Sequence, residues 1–146
     1  MPTRITNFLH DSIQTGAQVL GTAFDVNDVH VHDMTVGLPD FQRTGRNFYG
    51  IVEGIHIRLT SATTPTKVTI RLCADSAGDL VLIPDTEADL VAGITTGSSK
   101  CAAFSVRLPI FQILNSPGNG SLYLFAKVDN ATGNPVMAQS CITWRE

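Results

Sequence analysis

The sequence predicts an all-β fold: an antiparallel β-sandwich of about eight strands, jelly-roll-like, with an N-terminal arm. Three observations predict it. Val, Ile and Thr supply 39 of the 146 residues, and β-branched side chains suit a pleated, half-buried sheet better than a helix. Apolar and polar residues alternate with a period of two in several separate segments. The 12 Gly and 7 Pro fall mostly between the apolar runs, where turns belong. A chain of this length fits one domain, or one domain with an arm, and buries a core without disulfide or metal staples.

The division expected is an arm and hairpin over residues 1–48 and a sandwich domain over 49–146. Residues 1–16 carry weak patterning, with Thr6 to Ile13 long enough for one helical turn. Leu20 to Val26 and Val29 to Val36 read as two strands around Asn27-Asp28, a pair suited to a tight hairpin. Leu38 to Asn47, with Pro39 and Gly45, reads as a loop. Ile51 to Leu59 alternates, with Ile55, Ile57 and Leu59 on one face and His56 and Arg58 on the other. Lys67 to Cys73 alternates more strictly, placing Val68, Ile70 and Leu72 inward.

Turns are expected at Ser61–Thr66 and at Asp75–Asp79, where Gly78 can take positive φ. Leu80 to Ile83 is a short apolar run ending at Pro84, and Thr86 to Ile94 a weaker strand. Cys101 to Leu108 puts Ala102, Phe104, Val106 and Leu108 on one face. Asn115 to Gly120 breaks the chain sharply. Leu122, Leu124 and Val128 face inward on the next strand, and its other face carries Tyr123 and Phe125. That strand is either central and covered twice, or its two rings meet a neighbour. Asn130 to Pro135 is a turn. The last strand, Val136 to Trp144, turns Ile142 and Trp144 inward. The expected core is Val68, Ile70, Leu72, Phe104, Val106, Leu122, Leu124, Ile142 and Trp144.

Charge and composition narrow the function classes. Charged residues make up 16% and the formal net charge is -3, with the ten basic residues dispersed, so no face for nucleic acid is visible. No run approaches the ~18–20 apolar residues of a membrane span, and Met1 to Leu20 lacks the apolar run of a signal peptide. Cys73, Cys101 and Cys141 are odd in number without CxxC spacing, which fits reduced thiols. Asn119 and Asn130 head Asn-x-Ser/Thr triplets and read as turn residues.

Candidate chemistry is sparse. His30 and His32 share one face of a strand, which is metal-ligand geometry, but a zinc site needs a third ligand. His10 and His56 are the other histidines, and nothing in the sequence places them nearby, so the expectation is no metal and no cofactor. Asp75, Asp79, Asp85, Glu87 and Asp89 lack the ligand alternation and closing Glu of a calcium loop, and read as charges that discourage strand pairing. No nucleophile motif or phosphate loop occurs, so no catalytic residue is assigned. One Trp and two Tyr make the planar aromatic strip of a carbohydrate-binding module hard to build.

From Gly50 to Glu146 the chain resembles small virion proteins of tailed bacteriophages. The residues are Gly54-Ile-His-Ile-Arg-Leu, Lys67-Val-Thr-Ile-Arg-Leu-Cys-Ala-Asp-Ser-Ala-Gly-Asp79, Leu82-Ile-Pro-Asp-Thr86, Gly93-Ile-Thr-Thr-Gly97, Leu122-Tyr-Leu-Phe-Ala-Lys-Val-Asp129 and Ile142-Thr-Trp-Arg-Glu146. The resemblance implies a structural protein of the virion, assembled in the host cytoplasm, with a β-sandwich fold and frequent trimerisation. The expected function is capsid decoration (cement), with the major capsid protein as partner; a tail, knob or fibre component is the alternative. Aromatic residues are the contact candidates for such a role: Phe8, Phe24, Phe41, Phe48, Tyr49, Tyr123 and Phe125.

Overall fold

A computed structural model describes residues 3–7, 9–10, 18–24, 30–33, 51–92, 98–109 and 121–145. Eleven strands occur among them: β1 (Thr3–Asn7), β2 (Leu9–His10), β3 (Gln18–Val19), β4 (His30–Asp33), β5 (Ile51–Thr60), β6 (Lys67–Cys73), β7 (Val81–Asp89), β8 (Val91–Ala92), β9 (Lys100–Pro109), β10 (Ser121–Val128) and β11 (Val136–Arg145). The first sheet runs β1-β11-β5-β9-β8, with β3 also on β11, and the second runs β2-β4-β10-β6-β7. Every pairing is antiparallel.

Without the two-residue strands, eight remain, in the orders β1-β11-β5-β9 and β4-β10-β6-β7. First and last strands pair in one sheet, and second and second-to-last pair in the other. This is the jelly-roll wiring, two interlocked Greek keys. The chain returns repeatedly from one sheet to the other, so both sheets contain residues from both ends of the sequence.

The core lies between the sheets and follows the alternation. β6 buries Val68, Ile70 and Leu72; β9 buries Ala102, Phe104 and Leu108; β10 buries Leu122, Leu124, Ala126 and Val128; β11 buries Ile142 and Trp144. Val106 is half-buried and packs against this cluster. The Asp75–Asp79 turn forms as its residues require. Gly78 has φ +81°, and the Asp75 carboxylate accepts the N–H groups of Asp79 and Leu80 at 3.3 and 2.9 Å. The Asn130 side chain accepts the Thr132 N–H at 2.9 Å, so this sequon asparagine shapes a turn.

Three expectations need correction. Thr6 to Ile13 is not a helical turn where it is described: Thr6 and Asn7 end β1, and Leu9–His10 is β2. β1 lies along β11 from Thr3↔Arg145 to Asn7↔Cys141, so sheet pairing overrides the local pattern. Leu20 to Phe24 is not a strand. Leu20 is buried in the core and donates its N–H to Pro135 O, while Gly21 O accepts the Val128 N–H. This segment crosses between the sheets. β1 belongs to one sheet and β4 to the other, so both sheets draw on residues before 48. Finally, Pro84 does not end a strand. β7 runs through it, because β7 is a sheet edge, and the register shifts between Ile70↔Thr86 and Leu72↔Ile83 place Pro84 at a bulge.

Candidate functional site

Two surfaces carry the chemistry of the residues whose side chains are described. The first is the outer face of the second sheet. Tyr123, Phe125 and Lys127 alternate there with the inward leucines of β10. β10 is central, between β4 and β6, and Phe125 is covered from outside the sandwich. Phe24, at the end of the crossing segment, meets it edge to face, with centroids 6.3 Å apart at 80°. The Asp75–Asp79 turn closes another side: a Cβ on Gly78 would stand 3.2 Å from Phe125 Cζ. With Cys73 beneath, these residues form a second apolar cluster in which Phe125 is 2% exposed.

Cations frame that cluster. Arg71 Cζ and Lys127 Nζ each stand 4.7 Å from the Phe24 ring centroid, where the ring quadrupole attracts positive charge. Arg71 also donates two hydrogen bonds to Asp85, at 2.6 and 3.1 Å. That pairing holds the Asp85 carboxyl below its ordinary value, and Lys67 pairs diagonally with Glu87 across the same two strands at 3.1 Å. Part of the acidic stretch is thus engaged in cross-strand pairs. Burial pushes the Cys73 thiol up to about 11, so it stays protonated and inert near neutral pH.

The second surface is the outer face of the first sheet. His56 and Arg58 of β5, Cys101 and Ala103 of β9, and Gln139 and Cys141 of β11 line a groove of about 670 Å³ rimmed by Ala88, Asp89 and Val91. The register sets His56 opposite both Cys141 and Ala103. Nearby, Gly54 is needed for close approach, since a Cβ there would lie 2.6 Å from Thr143 Oγ1. Burial raises the Cys141 thiol, so the His56–Cys141 rung holds a thiol and not an activated nucleophile. Among residues whose side chains are described, no three His, Cys, Asp or Glu groups converge as metal ligands. Cys73, Cys101 and Cys141 are all free.

At the β2–β4 corner the backbone register places the remaining histidines. His30 stands opposite Leu124 and His32 opposite Leu122. His10, which sequence reasoning left unplaced, stands opposite His30. No local signal could have found it, because the pairing joins strands twenty residues apart.

Of the aromatic contact candidates, Phe24 and Tyr123 are half-buried beside Phe125, which is buried inside the chain. Phe8, Phe41, Phe48 and Tyr49 lie outside the described residues.

No protein-family model matches this sequence, and no characterised protein sequence matches it. Among solved structures, a CBM35 from Cellvibrio japonicus Abf62 is similar with a TM-score of 0.43 and 13% identity, over 99% of this chain and 96% of that one. The Tobacco streak virus coat protein dimer is similar at 0.41 and 7%, over 100% and 88%. Desmodium yellow mottle tymovirus follows at 0.32 and 9%, over 99% and 85%. At such scores these similarities carry no argument about activity.

Proposed function

We propose that this chain is a structural protein of a virion, a capsid decoration protein of a tailed bacteriophage that bridges major capsid subunits as a trimer. The observation that carries the reading is the jelly-roll order of the eight longer strands, an architecture that viral shells use repeatedly. The resemblance of Gly50–Glu146 to small phage virion proteins supplies the rest, since a fold alone does not assign a role. A cement role requires a rigid body and contact faces. The interlocked sheets provide rigidity, with both chain ends hydrogen-bonded side by side through β1 and β11. Half-buried Phe24 and Tyr123 on one face, and exposed Val91 at the rim of the other, provide apolar contact.

A second reading, a tail or fibre component touching a receptor or carbohydrate, is favoured by one feature, the groove over His56, Cys101 and Cys141. Copy number decides between them. Quantitative mass spectrometry of purified particles is expected to find hundreds of copies, in stoichiometric relation to the major capsid protein. A few to a few dozen copies would favour the tail, and absence from particles would overturn both readings. Light scattering of the isolated chain tests the trimer separately.

A further inference from the structure

We propose that the groove on the outer face of the first sheet receives the Asp79-Leu80-Val81 knuckle of a second copy of this chain, in a head-to-tail contact that pairs Arg58 of one protomer with Asp79 of the next. Register builds the groove. Arg58 stands between Gln139 of β11 and Cys101 of β9, and Val91 of β8 extends that rung beyond Cys101. The next rung sets His56 between Cys141 and Ala103. The hollow of about 670 Å³ is walled largely by short side chains, among them Ala88, Val91, Cys101 and Ala103, around the Arg58 guanidinium. Arg58 joins no ion pair and makes no side-chain hydrogen bond among the described residues.

The knuckle has the complementary character. It leaves the 75–79 turn and opens β7. Four large apolar side chains stand exposed among the described residues. Leu80 and Val81, 42% and 46% exposed, lie on the knuckle, and Val91, 67% exposed, lies on the groove rim. The acids around the knuckle are engaged. Asp75 accepts the N–H groups of its own turn, Asp85 pairs with Arg71 and Glu87 with Lys67. The exposed Asp79 carboxylate pairs with nothing among the described residues. Two apolar side chains beside an unpaired carboxylate thus match an apolar hollow around an unpaired guanidinium, and Arg–carboxylate pairs are strong, oriented contacts.

The two features do not meet within one molecule. β7 runs from Val81 at the knuckle to Asp89 at the groove rim, a span of roughly 26 Å at about 3.3 Å per residue. A contact between unlike faces is heterologous, and it closes as a ring or continues as a filament. The inference rests on the reading of the chain as a homo-oligomer, and it gives the trimer the surface that closes it. Apolar contact supplies affinity, and the charge pair fixes orientation.

Sedimentation equilibrium of the full-length chain tests the contact. The parent is expected to associate. Arg58→Asp and Asp79→Arg should each weaken association at least about tenfold, because each sets like charges face to face. The double variant Arg58→Asp/Asp79→Arg restores opposite charges at every contact of a ring and should regain most of the parental affinity, which a damaged fold would not. Arg107→Asp, at an exposed position outside the groove, should leave association unchanged. A second measurement uses the unaltered chain. Cys101 is exposed in the groove and Cys73 is buried. Alkylation by iodoacetamide, read by peptide mass spectrometry, should be slow at Cys101 in the associated state and accelerate on dilution to the monomer, with Cys73 unreactive throughout. A monomeric parent would overturn both the contact and the trimer. An associated parent whose single variants keep parental affinity, whose double variant is not rescued, or whose Cys101 reacts equally at every concentration would overturn the contact alone.

Discussion

Phe125 and Ala126 are neighbours on β10 that belong to two different apolar clusters. Ala126 faces the interior, where the two sheets cover each other and the described strand residues are fully or nearly buried. Phe125 faces outward, and among the described residues its cover comes from Phe24, Tyr123 and a tight turn at Gly78. The interior is redundant: its side chains come from strands of both sheets. The outer cluster leans on Phe24 and Gly78, both outside any strand, with Arg71 and Lys127 against the Phe24 ring. Equal burial therefore does not mean equal security, because a loop-borne cover can lift without separating the sheets.

The largest expected effect tests the interior. Trp144→Ala or Phe104→Ala should cost about 3–5 kcal/mol, because both are buried large rings whose cavities strand-borne neighbours cannot fill. Urea unfolding measures it. A cost below about 1 kcal/mol would mean that the interior is no more demanding than the surface cluster.

Phe125→Ala comes next, at about 2–3 kcal/mol. Phe125 is as buried as the core rings, but Phe24 can settle into the vacated space. A loss equal to that of Trp144→Ala would show that the outer cluster is as rigid as the interior.

Phe24→Ala should cost only about 1–2 kcal/mol, from half-buried area and two cation contacts. Its signature is local. Hydrogen exchange should accelerate in the amides of β10 and of the 75–79 turn, while the denaturant m-value stays unchanged. Uniform acceleration across both sheets would erase the distinction between the clusters.

The smallest effect is electrostatic. Arg71 holds Asp85 below its ordinary carboxyl value. Asp129 is also lowered: burial opposes its ionisation, but the Thr66 hydroxyl and the N–H groups of Lys67 and Thr66 outweigh that cost. A depressed folded value means stability present above the unfolded Asp value of about 3.9 and lost as pH falls through the folded one. Urea midpoints should therefore decline below about pH 4, and Asp85→Asn should flatten part of that slope. An unchanged slope in the variant would show that the Arg71–Asp85 pair is fully screened.

Most of the interior was legible from the chain. Val68, Ile70 and Leu72, then Leu122, Leu124 and Val128, then Ile142 and Trp144, are buried as their alternation requires. The acidic turn at Asp75 was legible too, because its glycine and carboxylate act within five residues. Pro84 misled: strand propensity cannot know that β7 is an edge, where a missing N–H leaves no ladder bond unmade. The first 33 residues misled more, since β1, β2 and β4 are short and their hydrogen-bond partners lie beyond residue 120 except where β2 meets β4.

The sequence by itself determined the all-β class, the approximate number of strands and which face of the long strands turns inward. Each of these follows from period-two patterning and turn chemistry, which act over a few residues. Only the tertiary structure decided the jelly-roll order, the reach of Phe24 over Phe125, the groove that joins His56 to Cys101 and Cys141, and the alignment of His10 with His30. Those depend on which strands meet. Strand pairing is a long-range choice made by whole-sheet packing, and local side-chain preference does not encode it.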